Sequence, residues 1–366
     1  NGHSILLIPR EGGFLFRLYV NLGEVAEGDS GGVRQTPHED VIAKAQEIMH
    51  PYKLDVKHVV WNSIYEVSHR ITDDFDDRSS DRTDSNDPRI FITGDACHTH
   101  SAQAGQGMNV SMQDGFNLAW KLGHVLSGNS PEELLHTYAD ERRDVAYRLI
   151  EFDKQWSSLM AESNDQLQDP QEMEKFYTQT AEFNAGYLTE YEPSLITSDH
   201  RYQDLAAGYP LGRRFKSAEV GRICDLVPLH IGHQHTADGR WRVYVFADTP
   251  APGESPVLRN WSEWAEKTLS PELFDLKLIH QQAYTDFDMS DVPSVFKPKV
   301  GHFQLTDMEH AFGILEDHDI FEERSISRNG AVVVVRPDQY VAGIFPLDDT
   351  KELTSFLSGV FPAIHP

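Results

Sequence analysis

The sequence predicts a mixed α/β (α+β) chain of two units, and three observations carry that prediction. Apolar residues alternate over short runs, as in Phe14, Phe16, Leu18, Val20 and Leu22, and elsewhere recur at helical spacing, so strands and helices interleave along the chain. A strand, a glycine-punctuated loop and a helix follow one another between Arg89 and Leu126, the arrangement of a ligand-binding junction. Residues 191–218 shift in composition, with Pro193, Gly208, Pro210 and Gly212 and no apolar period. That places a linker between a first unit, 1–190, and a second, 219–366. With 366 residues, 39% of them hydrophobic, both units are long enough for a core.

Taken in order, Ser4 to Ile8 and Phe14 to Leu22 are strands joined through Pro9, Arg10, Glu11, Gly12 and Gly13, which reads as a hairpin. Leu15, Arg17, Tyr19 and Asn21 share one face of the second strand, so that face is half polar. Thr36-Pro37-His38-Glu39 reads as a capping box with proline at the first helical position, opening an amphipathic helix through Val41, Ile42, Ala45, Ile48 and Met49. Val59, Trp61, Tyr65, Val67 and Ile71 alternate as another strand. Asp73 to Pro88 is polar and aperiodic, a solvated loop.

The junction itself carries the chemistry. An apolar strand from Arg89 ends in Gly94-Asp95, where glycine lets the backbone turn and the carboxylate can accept hydrogen bonds from ligand hydroxyls. Gly105 and Gly107 permit close backbone approach, and a helix begins behind them with its first N–H groups unpartnered. Such an N-terminus stabilises negative charge by roughly a kcal/mol. Gly94, Asp95, Gly105 and Gly107 are therefore candidate binding residues for an electron-rich ligand, and Ala104, Gln106, Met108 and Asn109, in the same run, join them by a family resemblance. Met108, Met112, Phe116, Ala119, Leu122 and Leu126 at helical spacing are expected to be the core face of that helix.

Pro131 to about Ala185 reads as helical, opened by Ser130 and proline. Beyond the linker, Arg240 to Asp248 is a strand, Pro256 to Leu269 an amphipathic helix and Phe274 to His280 a second strand. The β-branched run Ala331 to Val335 and the strand Tyr340 to Phe345 flank a Pro337-Asp338 turn, and Thr350 to Val360 closes as a helix. Strand, helix, strand, hairpin and helix is the thioredoxin order, and the chain has no Cys-x-x-Cys, so redox work of the thioredoxin kind is excluded.

A formal charge of −26 with no segregated basic patch argues against nucleic acid and anionic membranes as partners. Cys97 and Cys224, far apart, do not make a disulfide framework, and no apolar run reaches spanning length, so a cytoplasmic location is expected. Cys97, His98 and His100 are competent zinc ligands, but their spacing is too tight for ordinary chelation and no second ligand pair is evident. The reading is therefore no metal, and the same holds for His230, His233 and His235.

The string Gly94-Asp95-Ala-Cys97-His98-Thr-His100-Ser101, then Ala104-Gly105-Gln106-Gly107-Met108-Asn109, then a helix with Asp114, Asn117 and Trp120-Lys121-Leu122, closely resembles the second FAD-binding motif of flavin-dependent aromatic hydroxylases, nearest to the phenol 2-monooxygenase branch. Family members usually carry a proline after the His-x-His-Ser string, and this chain has Ala102. The resemblance implies that Asp95 binds the ribityl chain of FAD and that Gly107, Met108 and Asn109 face the flavin pyrimidine edge. It also implies that the Ile-Pro-Arg-Glu and Arg-x-Tyr strands supply Arg10 near the flavin and Tyr19 to the substrate phenol. By the same resemblance, NADPH is the reductant and dioxygen the oxidant, a flavin hydroperoxide hydroxylates a phenolic substrate, and the thioredoxin-like C-terminal unit makes a homodimer. The chain has no Gly-x-Gly-x-x-Gly, so it is expected to be the C-terminal part of a longer flavoprotein, with an incomplete FAD-binding and substrate domain. Two alternatives stay open: a truncated fragment with a structural or dimerisation role, and a flavin reductase that never hydroxylates.

Overall fold

The computed structural model describes residues 5–23, 25–26, 28–78, 87–101, 106–161, 178, 182, 185–251 and 253–365, with the backbone alone at 156–161. Contacts divide the chain into two units, one of residues 1–72, 94–111 and 146–180, the other of 73–93, 112–145 and 181–366.

In the first unit, β1 (Ile5–Pro9) and β2 (Phe16–Val20) form the predicted hairpin, with Tyr19 opposite Leu6 and Arg17 opposite Ile8. Gly12 and Gly13 take φ of 86° and 75° in its turn, a left-handed conformation that glycine adopts without cost. Helix α1 (His38–Met49) follows, but not from a capping box. The Thr36 hydroxyl donates backward to the Val33 carbonyl at 2.6 Å, closing the preceding turn, and Pro37 is itself the N-cap. Of the strand predicted from Val59, only its end is paired: β3 (Arg70–Ile71) lies antiparallel to β4 (His98–Thr99). Trp61 and Tyr65 stay exposed, so alternation there has no sheet to meet.

Residues 89–93, in the second unit apart from the junction they lead to, were also expected to be a strand. They make only a bridge, Phe91 to Asp76, with the Ile92 N–H on the Phe75 carbonyl at 3.1 Å. Helix α2 (Gly107–Leu126) begins and ends where the sequence places it, and α3 (His136–Ala161) follows. The face of α2 is the reverse of the expected one. Met108, Met112, Phe116 and Leu126 are exposed, while Asp114, Asn117, Trp120, Lys121 and His124 are buried. Charge pairing explains the reversal. Glu141 of α3 accepts from Lys121 Nζ at 2.7 Å and Asn117 Nδ2 at 2.8 Å, and Asp114 accepts from Arg142 Nε at 2.6 Å. Arg336 adds a fork, Nη1 to Glu141 Oε1 at 2.5 Å and Nη2 to Oε2 at 3.0 Å, and also holds Asp338 at 2.6 Å. The Trp120 indole donates to the same Asp338 at 3.1 Å. Three cations matched to three carboxylates can leave water where single ions cannot.

The centre of the second unit is a seven-stranded mixed sheet. Its strands are β5 (Glu219–Arg222), β6 (Val227–His230), β7 (Trp241–Phe246), β8 (Phe274–Ala283), β11 (Ala311–Ile314), β12 (Ala331–Val335) and β13 (Val341–Phe345), in the order β13-β12-β7-β8-β11-β5-β6. A separate short hairpin, β9 (Lys299–Val300) and β10 (Leu305–Thr306), stands beside that count. Strands β7 and β8 are parallel, and β12 is antiparallel to both β7 and β13. Alternation decides the two faces. Trp241, Val243, Val245, Val332 and Val334 join one cluster with Leu258 and Trp261 of α4 (Pro256–Thr268) and with Leu353 and Leu357 of α6 (Thr350–Val360). Tyr244, Phe246, Val333 and Val335 join a second with Tyr209, Leu211 and Phe215 and with Ile320 and Phe321 of α5 (Ile320–Glu323). Burial on both faces is why these strands read as continuous apolar runs.

One close approach in this unit makes a sharp test. A Cβ on Gly208 would press into the Arg324 backbone, whose carbonyl already accepts the Gly208 N–H at 2.8 Å, whereas a Cβ on Gly115 of α2 would meet nothing within 4 Å. Urea unfolding of Gly208→Ala should show a loss of about 2–3 kcal/mol. Gly115→Ala should gain about 0.5–1 kcal/mol. Equal effects at the two glycines would remove the packing argument.

Candidate functional site

The Gly94 turn is built by sequence and neighbours together. Gly94 has φ of 59°, and a Cβ there would lie 3.1 Å from the Ser111 side chain on α2, so glycine both permits the turn and lets it seat on the helix. Gly94 to Ala96 is one 3₁₀ turn, closed by the Cys97 N–H on the Gly94 carbonyl at 2.8 Å. Asp95 is left exposed at its apex. Gly107 makes the second close approach, because a Cβ on it would stand 2.5 Å from His100 Cε1. Met108 and Asn109 are exposed beside it, and the Asn109 amide donates to Gln106 Oε1 at 3.2 Å.

The Val110 N–H donates to the Gln106 carbonyl at 3.0 Å, so the N–H groups of Gly107, Met108 and Asn109 precede it. No acid occupies the first turn of α2, although the chain has 58 Asp and Glu. The positive end of the helix dipole therefore meets no carboxylate from its own first turn.

The segment between these points is anchored by residues that the sequence did not single out. Asp153, with no exposure, accepts from the Ser101 N–H and the Ser101 hydroxyl, each at 2.6 Å, and pairs with His69 Nε2 at 2.9 Å. Tyr65, its ring exposed, donates its hydroxyl to the His100 carbonyl at 3.1 Å, and partial burial of that hydroxyl end, followed by the Asp95 and Asp153 carboxylates, pushes its phenol up from the ordinary value. Ser101 lies in the quoted His-x-His-Ser string and could have been found there. Asp153 has no local signal, being one acid on a long helix.

Gly94 thus packs on Ser111 and Gly107 on His100, with Asp95 and with Gln106, Met108 and Asn109 as their chain neighbours. Ala104 and Gly105, also expected to bind, lie outside the described residues, as does Ala102. Arg10 and Tyr19 stand on the hairpin. Arg10 pairs with Glu11 at 2.6 Å, and the Tyr19 hydroxyl is reached by Arg17 Nη1 at 3.3 Å. Among the described residues, no hydrogen bond, ion pair or ring contact is recorded between that hairpin and the Gly94–Asn109 segment. No group of three His, Cys, Asp or Glu that could hold a metal ion occurs among the described residues. No described helix is long and apolar enough to cross a membrane.

Residues 1–153 match the family model described as FAD binding domain, and residues 189–364 match that described as phenol hydroxylase, C-terminal dimerisation domain. The chain belongs to the FAD-dependent aromatic hydroxylase family. Its relatives in that family include a 3-hydroxybenzoate 4-monooxygenase of Comamonas testosteroni, 43% identical over 98% of this chain and 60% of the relative. A phenol 2-monooxygenase of Aspergillus fumigatus is 31% identical over 98% of this chain and 60% of the relative. An aromatic hydroxylase from angucycline biosynthesis, whose crystal structure is known, shares the fold with a TM-score of 0.59 and 24% identity, covering 99% of this chain and 60% of that one. The chain spans about three fifths of the length of these family members.

Proposed function

We propose that the protein to which this chain belongs hydroxylates a phenolic ring, with FAD as cofactor, NADPH as reductant and dioxygen as the source of the new hydroxyl. The observation that carries the reading is the pairing of an exposed Asp95 carboxylate with an α2 N-terminus free of acids, both packed to glycine tolerance at Gly94 and Gly107. These groups fit FAD: a carboxylate suits the ribityl hydroxyls, and a positive helix end suits the electron-rich edge of the flavin ring. When bound, FAD supplies the electron transfer and oxygen activation, which no side chain here can provide. The chain's own contribution is to hold the cofactor through Asp95 and Gly107 to Asn109, and to orient the substrate hydroxyl through Tyr19, with Arg10 offering a cation close to the ring system. Name and identity of the 43% relative favour a hydroxybenzoate or a simple phenol as substrate. The match over 189–364 favours a homodimer, built on a β7-α4-β8 and β12-β13-α6 arrangement that we read as thioredoxin-like.

The test uses protein from the complete coding sequence. Asp95→Ala should lose most of its flavin on gel filtration while wild type stays yellow, since a ligand's hydrogen bonds to a charged group contribute about 1.5–3 kcal/mol each. Equal flavin content would defeat the cofactor assignment. Tyr19→Phe should keep its flavin but divert NADPH oxidation toward hydrogen peroxide, measured as product formed per NADPH consumed with phenol and 3-hydroxybenzoate. Unchanged coupling would remove Tyr19 from the site. If wild type itself made only peroxide across a panel of phenols, the reductase alternative would replace hydroxylation.

A further inference from the structure

We propose that a cavity of about 220 Å³ in the second unit, walled by Arg214, Gln339, His233, His235, Phe215 and Tyr244, binds a small aromatic carboxylate. The assignment stands on these walls alone and is independent of the flavin reading. Four observations support it.

The first is an unneutralised cation in an acidic protein. Arg214 Nη2 donates to Gln339 Oε1 at 3.3 Å, and no carboxylate of the described residues pairs with it. Its neighbours are treated differently: Arg213 pairs with Glu190 at 2.7 Å and Lys216 with Glu182 at 3.2 Å. With 58 acids to 32 Lys and Arg, a guanidinium facing a cavity beside a neutral amide is set up for an anion from outside.

Backbone strain is the second. Gln339 takes φ of 70°, uncommon for a side-chain-bearing residue, and is fixed there by the Phe215 N–H on its carbonyl at 2.8 Å and by its own N–H on the Arg336 carbonyl at 2.9 Å. That conformation puts its amide on the Arg214 fork, where it orients the guanidinium without cancelling its charge.

Third, Phe215 and Tyr244 make one wall aromatic, backed by Tyr209 behind Phe215. Tyr209, Phe215 and Tyr244 form a stack with centroids 4.5 and 4.3 Å apart and planes within 8° at each step. Tyr244 is nearly fully buried, so its position is set by packing before any ligand arrives. An aromatic ring set against the edges of Phe215 and Tyr244 gains buried area and an edge-to-face contact.

The charge count is the fourth. His235 donates from Nε2 to the Pro337 carbonyl at 3.1 Å, and burial, then the nearby Arg242 cation, lowers its basicity. A neutral imidazole adds no second fixed positive charge, so the site matches one carboxylate. The volume agrees with a single ring, being below the roughly 300–1,000 Å³ of pockets for larger ligands.

Calorimetric titration of the 366-residue chain with benzoate, without added flavin, tests the assignment. One saturable site is expected. Arg214→Met should weaken it about ten- to a hundredfold, the loss of a charge-assisted fork, with no change in unfolding midpoint. Benzamide, which keeps the ring without the charge, and acetate, which keeps the charge without the ring, should both bind more weakly than benzoate. Absence of benzoate binding, equal binding by Arg214→Met, or acetate binding as tightly as benzoate would each overturn the proposal. Should Arg214→Met fail to fold, NMR of the wild-type histidine rings decides: benzoate must shift the His235 resonances by its ring current, and unmoved resonances reject the site.

Discussion

Arg336→Met will lower the unfolding free energy by about 3–5 kcal/mol, the usual cost of removing one partner from a buried ion pair. Arg336 has no exposure, and its guanidinium serves two carboxylates at once while lying 4.8 Å from the Tyr191 ring centroid. Removing it leaves Glu141 with one cation, Lys121, and the neutral Asn117 amide, and Asp338 with only neutral donors, Trp120 and Asn117. Arg336→Lys should recover less than half of the loss, because an ammonium cannot reproduce the two-pronged contact with Glu141. Urea unfolding followed by tryptophan fluorescence measures both. A loss below about 1 kcal/mol in Arg336→Met, the range of surface pairs, would show that the network is not dry.

The same network sets a pH window. Burial would raise the Glu141 carboxyl, but Arg336 first and Lys121 second overcome it and hold the group at about 2, against an ordinary 4.5. A carboxylate lowered in the folded state contributes stability that is complete above the unfolded value and lost as pH falls through the folded one. Glu141 therefore supports the fold above pH 4.5 and gives up roughly 3 kcal/mol between there and pH 2. Lys121, its partner, shifts in the unfavourable direction: burial lowers its ammonium from 10.5 to about 8, Glu141 opposes this, and the Arg336 cation adds to it. The two shifts are consistent because Glu141 is held by two cations, whereas the support Lys121 has from Glu141 and, more weakly, Asp338 is offset by the competing Arg336 cation. Below pH 8 the Lys121 cost is present in full, and it is relieved as pH rises from 8 to 10.5.

This network also shows where the sequence misleads. A stripe of Met108, Met112, Phe116 and Leu126 announces a face that needs cover, and periodicity cannot say that the opposite face, with Asp114, Asn117 and Lys121, is the one covered within this chain. The matching charges lie on α3 and on the β12–β13 turn, more than 200 residues from Asn117 in the case of Asp338, and no local pattern reports such a pairing. The strands β7, β8, β12 and β13 and the helices α4 and α6 were legible because two-sided burial forces unbroken apolar runs and Ser255 and Asp349 cap their helices by local rules. The short strands β5, β6, β9, β10 and β11 were not: β11 depends on β8 and β5, distant in sequence, and the local hairpins β5–β6 and β9–β10 have strands of only two to four residues, too short to show an alternation. At the candidate site the glycines were legible for a similar local reason. Gly94 and Gly107 are required by single close contacts, whereas Asp153 acts from a helix that sequence places nowhere near them.

Asp153→Ala follows from that last point, and it should release flavin from the protein of the complete coding sequence as effectively as Asp95→Ala does. Asp153 touches no candidate binding residue, yet its carboxylate holds the Ser101 N–H, the Ser101 hydroxyl and His69, and Ser101 follows directly on His100, whose ring abuts Gly107. Losing one buried acceptor for three donors costs about 3–5 kcal/mol, by the same reasoning as for a broken buried pair. The loss falls on a segment whose two ends carry Asp95 and Gly107. Asp153→Asn keeps one carbonyl oxygen for Ser101 while giving up the charge, so its flavin content should lie between wild type and Asp153→Ala. Gel filtration followed by the visible absorbance per protein measures retention, and the unfolding midpoint of the flavin-free forms separates local from global loss. If Asp153→Ala keeps its flavin while its midpoint falls, the carboxylate stabilises the fold without positioning the site. If flavin is lost with the midpoint unchanged, the Asp153 anchor is what keeps the Gly94 turn and the α2 N-terminus in register for the cofactor.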